Sequence, residues 1–253
     1  MNIRVKITRD GSNKICTMDI EEYLRGVVPA EMPSKSLVEA LKTQAVAART
    51  YAMSKLGSDR PYDVDDTTTY QAYIPHAVTL SSDIAIHDTA GQVLKYNGKL
   101  ISAVYSASNG GRTRSAKERW GTAYPYLPAQ DDPYNERSGY TRNGHSVGMS
   151  QRGTQQAAKE GLTYVQILAF YYPGTVLVGM DIATTYPCEM IVATKNDPLN
   201  VRKEANGEVI YKLPVGARVF VLSEKEGWCL IVYRDTKYVY GWVSSAYLRM
   251  VAE

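Results

Sequence analysis

Polar and apolar residues alternate through residues 2–8, the period of a half-buried strand, and Asp10-Gly11 follows as a turn. The spacing then becomes helical. Ile20, Tyr23, Leu24, Val27 and Val28 share one face, behind Asp19 as N-cap and Glu22 three residues on, the spacing of a capping box. Pro29 predicts the end of that helix. Ser36 and Glu39 repeat the capping spacing and predict a second helix over about 37–55, ended by Gly57. Its stripe of Val38, Leu41, Ala45, Ala48 and Ala52 is rich in alanine, which permits close packing and predicts the central helix of a domain. Residues 60–90 read as polar and turn-rich. Segments 92–96 and 100–106 predict strands joined at Asn97-Gly98, a strong hairpin signal. An irregular stretch runs to about 140. Helices are predicted within 144–162 and over 163–172, the latter ended by Pro173-Gly174.

From about residue 188 the pattern changes. Short β-rich runs alternate with Gly, Pro, Asn and Asp, and no helix longer than a turn fits. The boundary is expected near 181–187. The fold class is therefore α+β: a mixed helical and β domain over 1–183, then a linker and all-β module over 184–253.

Composition narrows the function classes. The chain has 253 residues, enough for one large core or two smaller ones, with 44% hydrophobic and 22% charged residues, as in soluble globular proteins. A net charge of +3 is too mild to argue for a nucleic-acid partner and suits loose attraction to an anionic polymer such as a bacterial wall. No run of about 18 apolar residues predicts a transmembrane segment. Cys16, Cys188 and Cys229 lie far apart with no CxxC or Cys/His cluster, which argues against structural zinc and against a disulfide framework. The chain holds 20 Tyr against 2 Phe, a balance that suits carbohydrate and wet interfaces because tyrosine has an apolar face and a polar tip.

The candidate chemistry centres on Val27-Val28-Pro29-Ala30-Glu31-Met32-Pro33. Two prolines stiffen the chain around one carboxylate, and the neighbours are apolar. Lost hydration raises a carboxyl pKa, which prepares a general acid. A solvated glutamate in a turn is the competing reading.

Six blocks then fall in order: DIEEYLRGVVPAEMP, EALKTQAVAARTYA, TTTYQAY, SASNGGRT, GHSVGMSQRG and ILAFYYPGT. With them, residues 18–178 resemble the stage II sporulation protein D (SpoIID) family, which includes amidase enhancers. The resemblance implies a lytic transglycosylase that cuts peptidoglycan glycan strands, with Glu31 as catalytic acid/base. Residues 197–250 resemble a bacterial SH3-like domain, through LNVR, LPVGARV, EGWCLI and YGWVSSAYL. That implies a small barrel that binds peptidoglycan or its peptides; a spacer is the alternative.

Further site residues are expected around Glu31. Lys42 and Arg49, seven apart on one helix face, are expected to reach the cleft, with Gln44 and Tyr51 as weaker candidates. Gln71 and Tyr73 come from the TTTYQAY block. Ser106, Asn109, Gly110 and Gly111 form a turn that can bring backbone close to a sugar. His145, Ser150 and Gln151 sit where glycines precede a helix N-terminus with free N–H groups. His76 and His87 read as surface residues, and Asp131-Asp132 as a turn. Ser146 stands where family members often carry glycine. Some sporulation members bind zinc through Cys and His; with no cysteine between Cys16 and Cys188, no metal and no cofactor are expected.

A transglycosylase needs one acid/base, because the 6-hydroxyl of the same N-acetylmuramic acid attacks C1; an ordinary hydrolase needs a second carboxylate, and none stands out. The expected partner is the glycan strand, with a cell-wall amidase as the partner if the chain is instead a non-catalytic enhancer. The start MNIRVKITRDG lacks the apolar core of a signal peptide and reads as a strand and turn. An extracytoplasmic, wall-located protein would then be a trimmed secreted chain or a prophage or mobile-element protein.

Overall fold

A computed structural model describes residues 1–9, 11–33, 35–75, 77, 79–179, 188–234 and 238–251. Asp10 of the expected turn, His76 and the expected boundary at 181–187 lie outside the described residues. The chain divides into two compact units, Met1–Ile182 and Ala183–Glu253. Helices and strands are mixed in the first unit, and the second is built on strands.

In the first unit the strand Asn2–Ile7 pairs antiparallel with Lys14–Asp19 and parallel with Val64–Asp65. The helix Ile20–Glu31 begins at Asp19, whose carboxylate accepts the Glu21 N–H at 2.9 Å. The expected partner Glu22 pairs with Arg25 instead, at 3.0 Å. The helix does not end at Pro29 but continues to Glu31. A proline inside a helix forfeits one backbone bond and costs about 3 kcal/mol. Complete burial of Ile20, Tyr23, Leu24, Val27 and Val28 offsets that cost, and the Met32 N–H still closes on the Val28 carbonyl at 2.9 Å.

The helix Val38–Met53 is central as expected: it packs against four other helices and the strand Gln92–Tyr96. Ala40, Ala45, Ala47, Ala48 and Ala52 are fully buried in it. The Ser36–Glu39 capping box does not form. Leu37 is the N-cap without a side-chain bond, and the Glu39 carboxylate accepts the Tyr164 N–H at 2.7 Å. Tertiary pairing has taken the capping carboxylate.

The expected turn-rich segment contains a helix, Leu80–Asp88, capped by Thr79. Asn97 and Gly98 both take positive φ, 48° and 76°, as a two-residue hairpin of type I′ requires. The expected strand over 100–106 is split. Lys99–Leu100 closes the hairpin, and Tyr105–Ser106 pairs parallel with Met149–Ser150. The irregular stretch holds two short helices, Ala116–Trp120 and Pro133–Ser138. The helices Gln151–Lys159 and Tyr164–Tyr171 are capped by Ser150 and Thr163.

Among the described residues the second unit is one seven-stranded sheet. Its order is Val209–Leu213, Leu199–Arg202, Tyr238–Ser244, Trp228–Arg234, Arg218–Lys225, Cys188–Val192, Leu248–Met250, and every pairing is antiparallel. Val201, Leu213, Val219, Val221, Ile231 and Val243 form its own core, each fully buried.

Candidate functional site

Glu31 ends its helix at the wall of a cleft of about 500 Å³ in the first unit. Two donors fix its carboxylate. The Ala72 N–H reaches Oε1 at 2.7 Å, and Gln151 Nε2 reaches Oε2 at 2.9 Å. Each oxygen spends one lone pair on these bonds and keeps another for a proton. Burial pushes the Glu31 carboxyl above its ordinary range, opposed by the two hydrogen bonds and by the charge of Arg9. Glu31 is the sole carboxylate among the described residues that line the cleft.

The segment around His145 also lines the cleft. Gly144 and Gly148 take φ of +93° and +67°. A Cβ on Gly148 would meet the Val104 carbonyl at 2.3 Å, so only glycine fits there. Ser146 also takes positive φ, +60°, a conformation that favours glycine. His145 Nδ1 accepts the Val147 N–H at 3.0 Å. Burial and the charge of Arg119 hold the imidazole below its ordinary pKa, against a hydrogen bond with the Tyr105 backbone. Its ring packs on Trp120 at 5.2 Å between centroids. The cleft thus holds one protonatable carboxyl, an imidazole held below its ordinary pKa and an exposed indole.

Among the expected site residues, Glu31, Ser106, His145 and Gln151 line this cleft, and so does Tyr51, whose phenol burial pushes up to about 12. Other expected residues do not. Arg49 is fully buried against Glu21, at 2.6 and 2.7 Å, because a guanidinium inside a packed domain needs a carboxylate. Lys42 pairs with Asp88 at 2.8 Å. Gln71 is buried behind the wall, donating to Tyr105 Oη and the Ala48 carbonyl. Tyr73 stacks on Tyr23 at 5.3 Å and covers Gly26. Ser150 is spent as a helix cap, bonded to the Gly153 N–H and to Asn135. Asn109 is buried and donates to Asp132 at 2.7 Å; Gly110 and Gly111 form a turn beside Arg142 and Glu136. Asp132 is equally buried, capping the Pro133–Ser138 helix and accepting from Tyr171, whereas Asp131 is exposed and paired with Arg112. His87 is half-buried beside Asp88.

Sequence reasoning missed Thr68, Thr69, Tyr70, Tyr105 and Trp120 as lining residues. The TTTYQAY block held the first three. Trp120 sits in a five-residue helix with no periodicity to reveal it.

Residues 8–96 match the stage II sporulation protein (SpoIID) family model, and residues 197–249 match the bacterial SH3 domain model. The chain carries a SpoIID domain followed by a bacterial SH3 domain. It is 46% identical over 118 residues to the amidase enhancer of Bacillus subtilis, covering 47% of this chain and 16% of that protein. It is 45% identical over 114 residues to an uncharacterised protein of Brachyspira hyodysenteriae, covering 44% and 31%. It is 31% identical over 154 residues to stage II sporulation protein D of Bacillus subtilis, covering 54% and 45%. The chain therefore spans less than half the length of each of these relatives.

Proposed function

We propose that the SpoIID domain is a lytic transglycosylase of peptidoglycan and that the SH3 domain holds it on the cell wall, outside the cytoplasm. The observation that carries the reading is the one carboxyl among the described residues lining the cleft, raised by burial and fixed by two donors. Protonated Glu31 gives its proton to the glycosidic oxygen as the bond to C1 of N-acetylmuramic acid breaks. The 6-hydroxyl of that sugar then bonds to C1 and yields its proton to the Glu31 carboxylate. Atoms balance without water, and the product ends in a 1,6-anhydro ring. Tethering of the nucleophile to the reacting ring supplies proximity. The His145 ring and the Trp120 face suit a sugar, and the absence of a second carboxylate among the described lining residues disfavours activation of water.

A second reading is a non-catalytic enhancer acting with a cell-wall amidase, favoured by the name of the 46%-identical relative. Mass analysis of digests of intact and peptide-stripped glycan strands separates the readings. Transglycosylation gives ends one water lighter than hydrolysis and resistant to borohydride. Reducing ends would indicate a hydrolase. No product on either substrate, from a folded protein, would favour the enhancer.

A further inference from the structure

Tyr51 and Tyr70 line the cleft that holds Glu31, and cations from outside that lining sit on both rings. Lys55 Nζ lies 4.8 Å from the Tyr51 ring centre. The Arg60 guanidinium packs over two tyrosines, 5.5 Å from the Tyr70 ring and 5.6 Å from that of Tyr62. Lys6 Nζ is 5.5 Å from the same Tyr62 ring. A row therefore leaves the cleft at Tyr70 and runs through Arg60 and Tyr62 to Lys6, and the charge of Arg60 reaches Lys55.

Among the described residues none of these three cations makes a hydrogen bond or an ion pair, whereas Arg4, Arg25, Lys42 and Arg49 of the same unit each have a carboxylate. The carboxylates of the neighbouring segment are occupied elsewhere. Asp63 is held by Arg4, Asp65 accepts the Thr67 N–H and hydroxyl, and Asp66 accepts from Thr8 and the Arg9 N–H. Asp59 precedes Arg60 in the chain without pairing with it. Burial and the charge of Arg60 hold the Lys55 ammonium below its ordinary range, which is the mark of positive charge left uncompensated. Stacking on a ring face orients a cation yet uses none of its N–H donors, so they remain available to an anion.

We propose that Lys55, Arg60 and Lys6 form a side subsite of the SpoIID domain that takes the carboxylates of the stem peptide branching from N-acetylmuramic acid. The proposal rests on the reading of the Glu31 cleft as a glycan site. The lactyl carboxyl of a peptide-stripped sugar is one charge fixed a few bonds from its ring. A stem peptide carries several carboxylates and advances about 3.5 Å per residue, which suits cations spaced by tyrosine rings outside the cleft. Arginine and lysine beside carboxylates supply charge-assisted hydrogen bonds.

Binding is read in the full Glu31→Gln chain, so that strands stay intact, from the Trp120 indole N–H in NMR spectra. Trp120 lines the cleft, whereas Trp228 and Trp242 belong to the SH3 domain, so its signal reports this cleft. Three soluble probes are compared: glycan strands bearing stem peptides, the same strands stripped of peptide, and a chitin oligomer with no muramic acid. Lys55→Gln,Arg60→Gln should weaken binding of the peptide-bearing strand by about five- to tenfold at low salt and by much less at about 1 M salt, while the other two probes bind as before. Arg60→Gln alone, at an exposed position, should give part of that loss, so a misfolded double variant leaves the test intact. No loss on the peptide-bearing strand overturns the subsite. Equal losses on stripped and peptide-bearing strands overturn it too, because the stem peptide would then not be the ligand. Failure of the chemistry shows separately: stripped strands that shift the Trp120 signal yet survive the wild-type chain sink the transglycosylase reading and leave the subsite standing.

Discussion

Glu21 and Arg49 form a two-pronged ion pair inside the SpoIID domain, with Nε at 2.7 Å and Nη2 at 2.6 Å from the carboxylate oxygens. It ties the helix Ile20–Glu31, which ends in the candidate acid, to the central helix. Arg49 also donates to the carbonyls of Ile86 and Gln92, so its remaining protons are placed. Removing one partner of such a pair leaves a buried charge alone, at a cost of about 3–5 kcal/mol. Arg49→Met should lower stability by that amount in denaturant titration, and Glu21→Gln,Arg49→Met should recover part of it. Loss of glycan cleavage at unchanged stability would instead place Arg49 in the chemistry.

This pair marks the limit of what the sequence revealed. Periodicity gave the central helix, and Asn97-Gly98 gave the hairpin, because both signals are local. Lys42 and Arg49 do share a helix face, but spacing does not tell which neighbour that face meets. Here Glu21 and Asp88 supply carboxylates that draw both cations away from the cleft. The extra turn through Pro29 was hidden for the same reason: packing outweighed a local preference. Glu31 was legible through its flanking prolines and apolar neighbours as well as its motif, Gln151 and His145 only through theirs, and Trp120, without one, was not.

The raised Glu31 carboxyl has a stability consequence. The folded chain keeps a proton that the unfolded chain has lost, so this contribution is complete below the unfolded pKa of about 4.3 and disappears as pH rises through the folded value. Glu31→Gln has no such loss. The melting temperature of Glu31→Gln minus that of wild type should therefore climb with pH across this window and then level off. Asp63, Asp66 and Asp88, held low by their partners, contribute alike to both proteins and cancel. A flat difference would mean that the carboxyl is not raised.

Gly148 should be far more sensitive to substitution than Ser146. Gly148→Ala adds a methyl 2.3 Å from a backbone oxygen at φ +67°, so about 2–3 kcal/mol of stability should be lost, with disturbance of Val104 and His145 in the cleft. Ser146→Gly relieves left-handed strain and gives up only a long 3.4 Å bond to the Ser108 carbonyl, so stability should stay within about 1 kcal/mol. Thermal melts of the two variants check both.

Trp120 is 46% exposed while packed on His145, so its indole face is open to the cleft. Trp120→Ala should barely alter the melting temperature yet raise KM for glycan strands, by about five- to tenfold if one stacked ring is lost. Unchanged steady-state kinetics would remove this side chain from substrate binding.

The SH3 domain should supply wall affinity and no chemistry. Its core is made from its own strands, and its surface carries a groove of about 760 Å³ lined by Lys195, Arg202, Trp228 and Tyr247 among others. Aromatic faces beside cations suit a short peptide bearing carboxylates. A fragment of residues 1–183 should cleave soluble glycan at the full-length rate while pelleting far less with intact sacculi. Tyr247→Ala in the full chain should lower pelleting in the same direction, because that ring is 49% exposed at the groove and its removal disturbs little packing. If fragment and full chain pellet equally, the wall affinity belongs to the SpoIID domain and the SH3 domain is a spacer; if only Tyr247→Ala is without effect, the SH3 domain binds through another face.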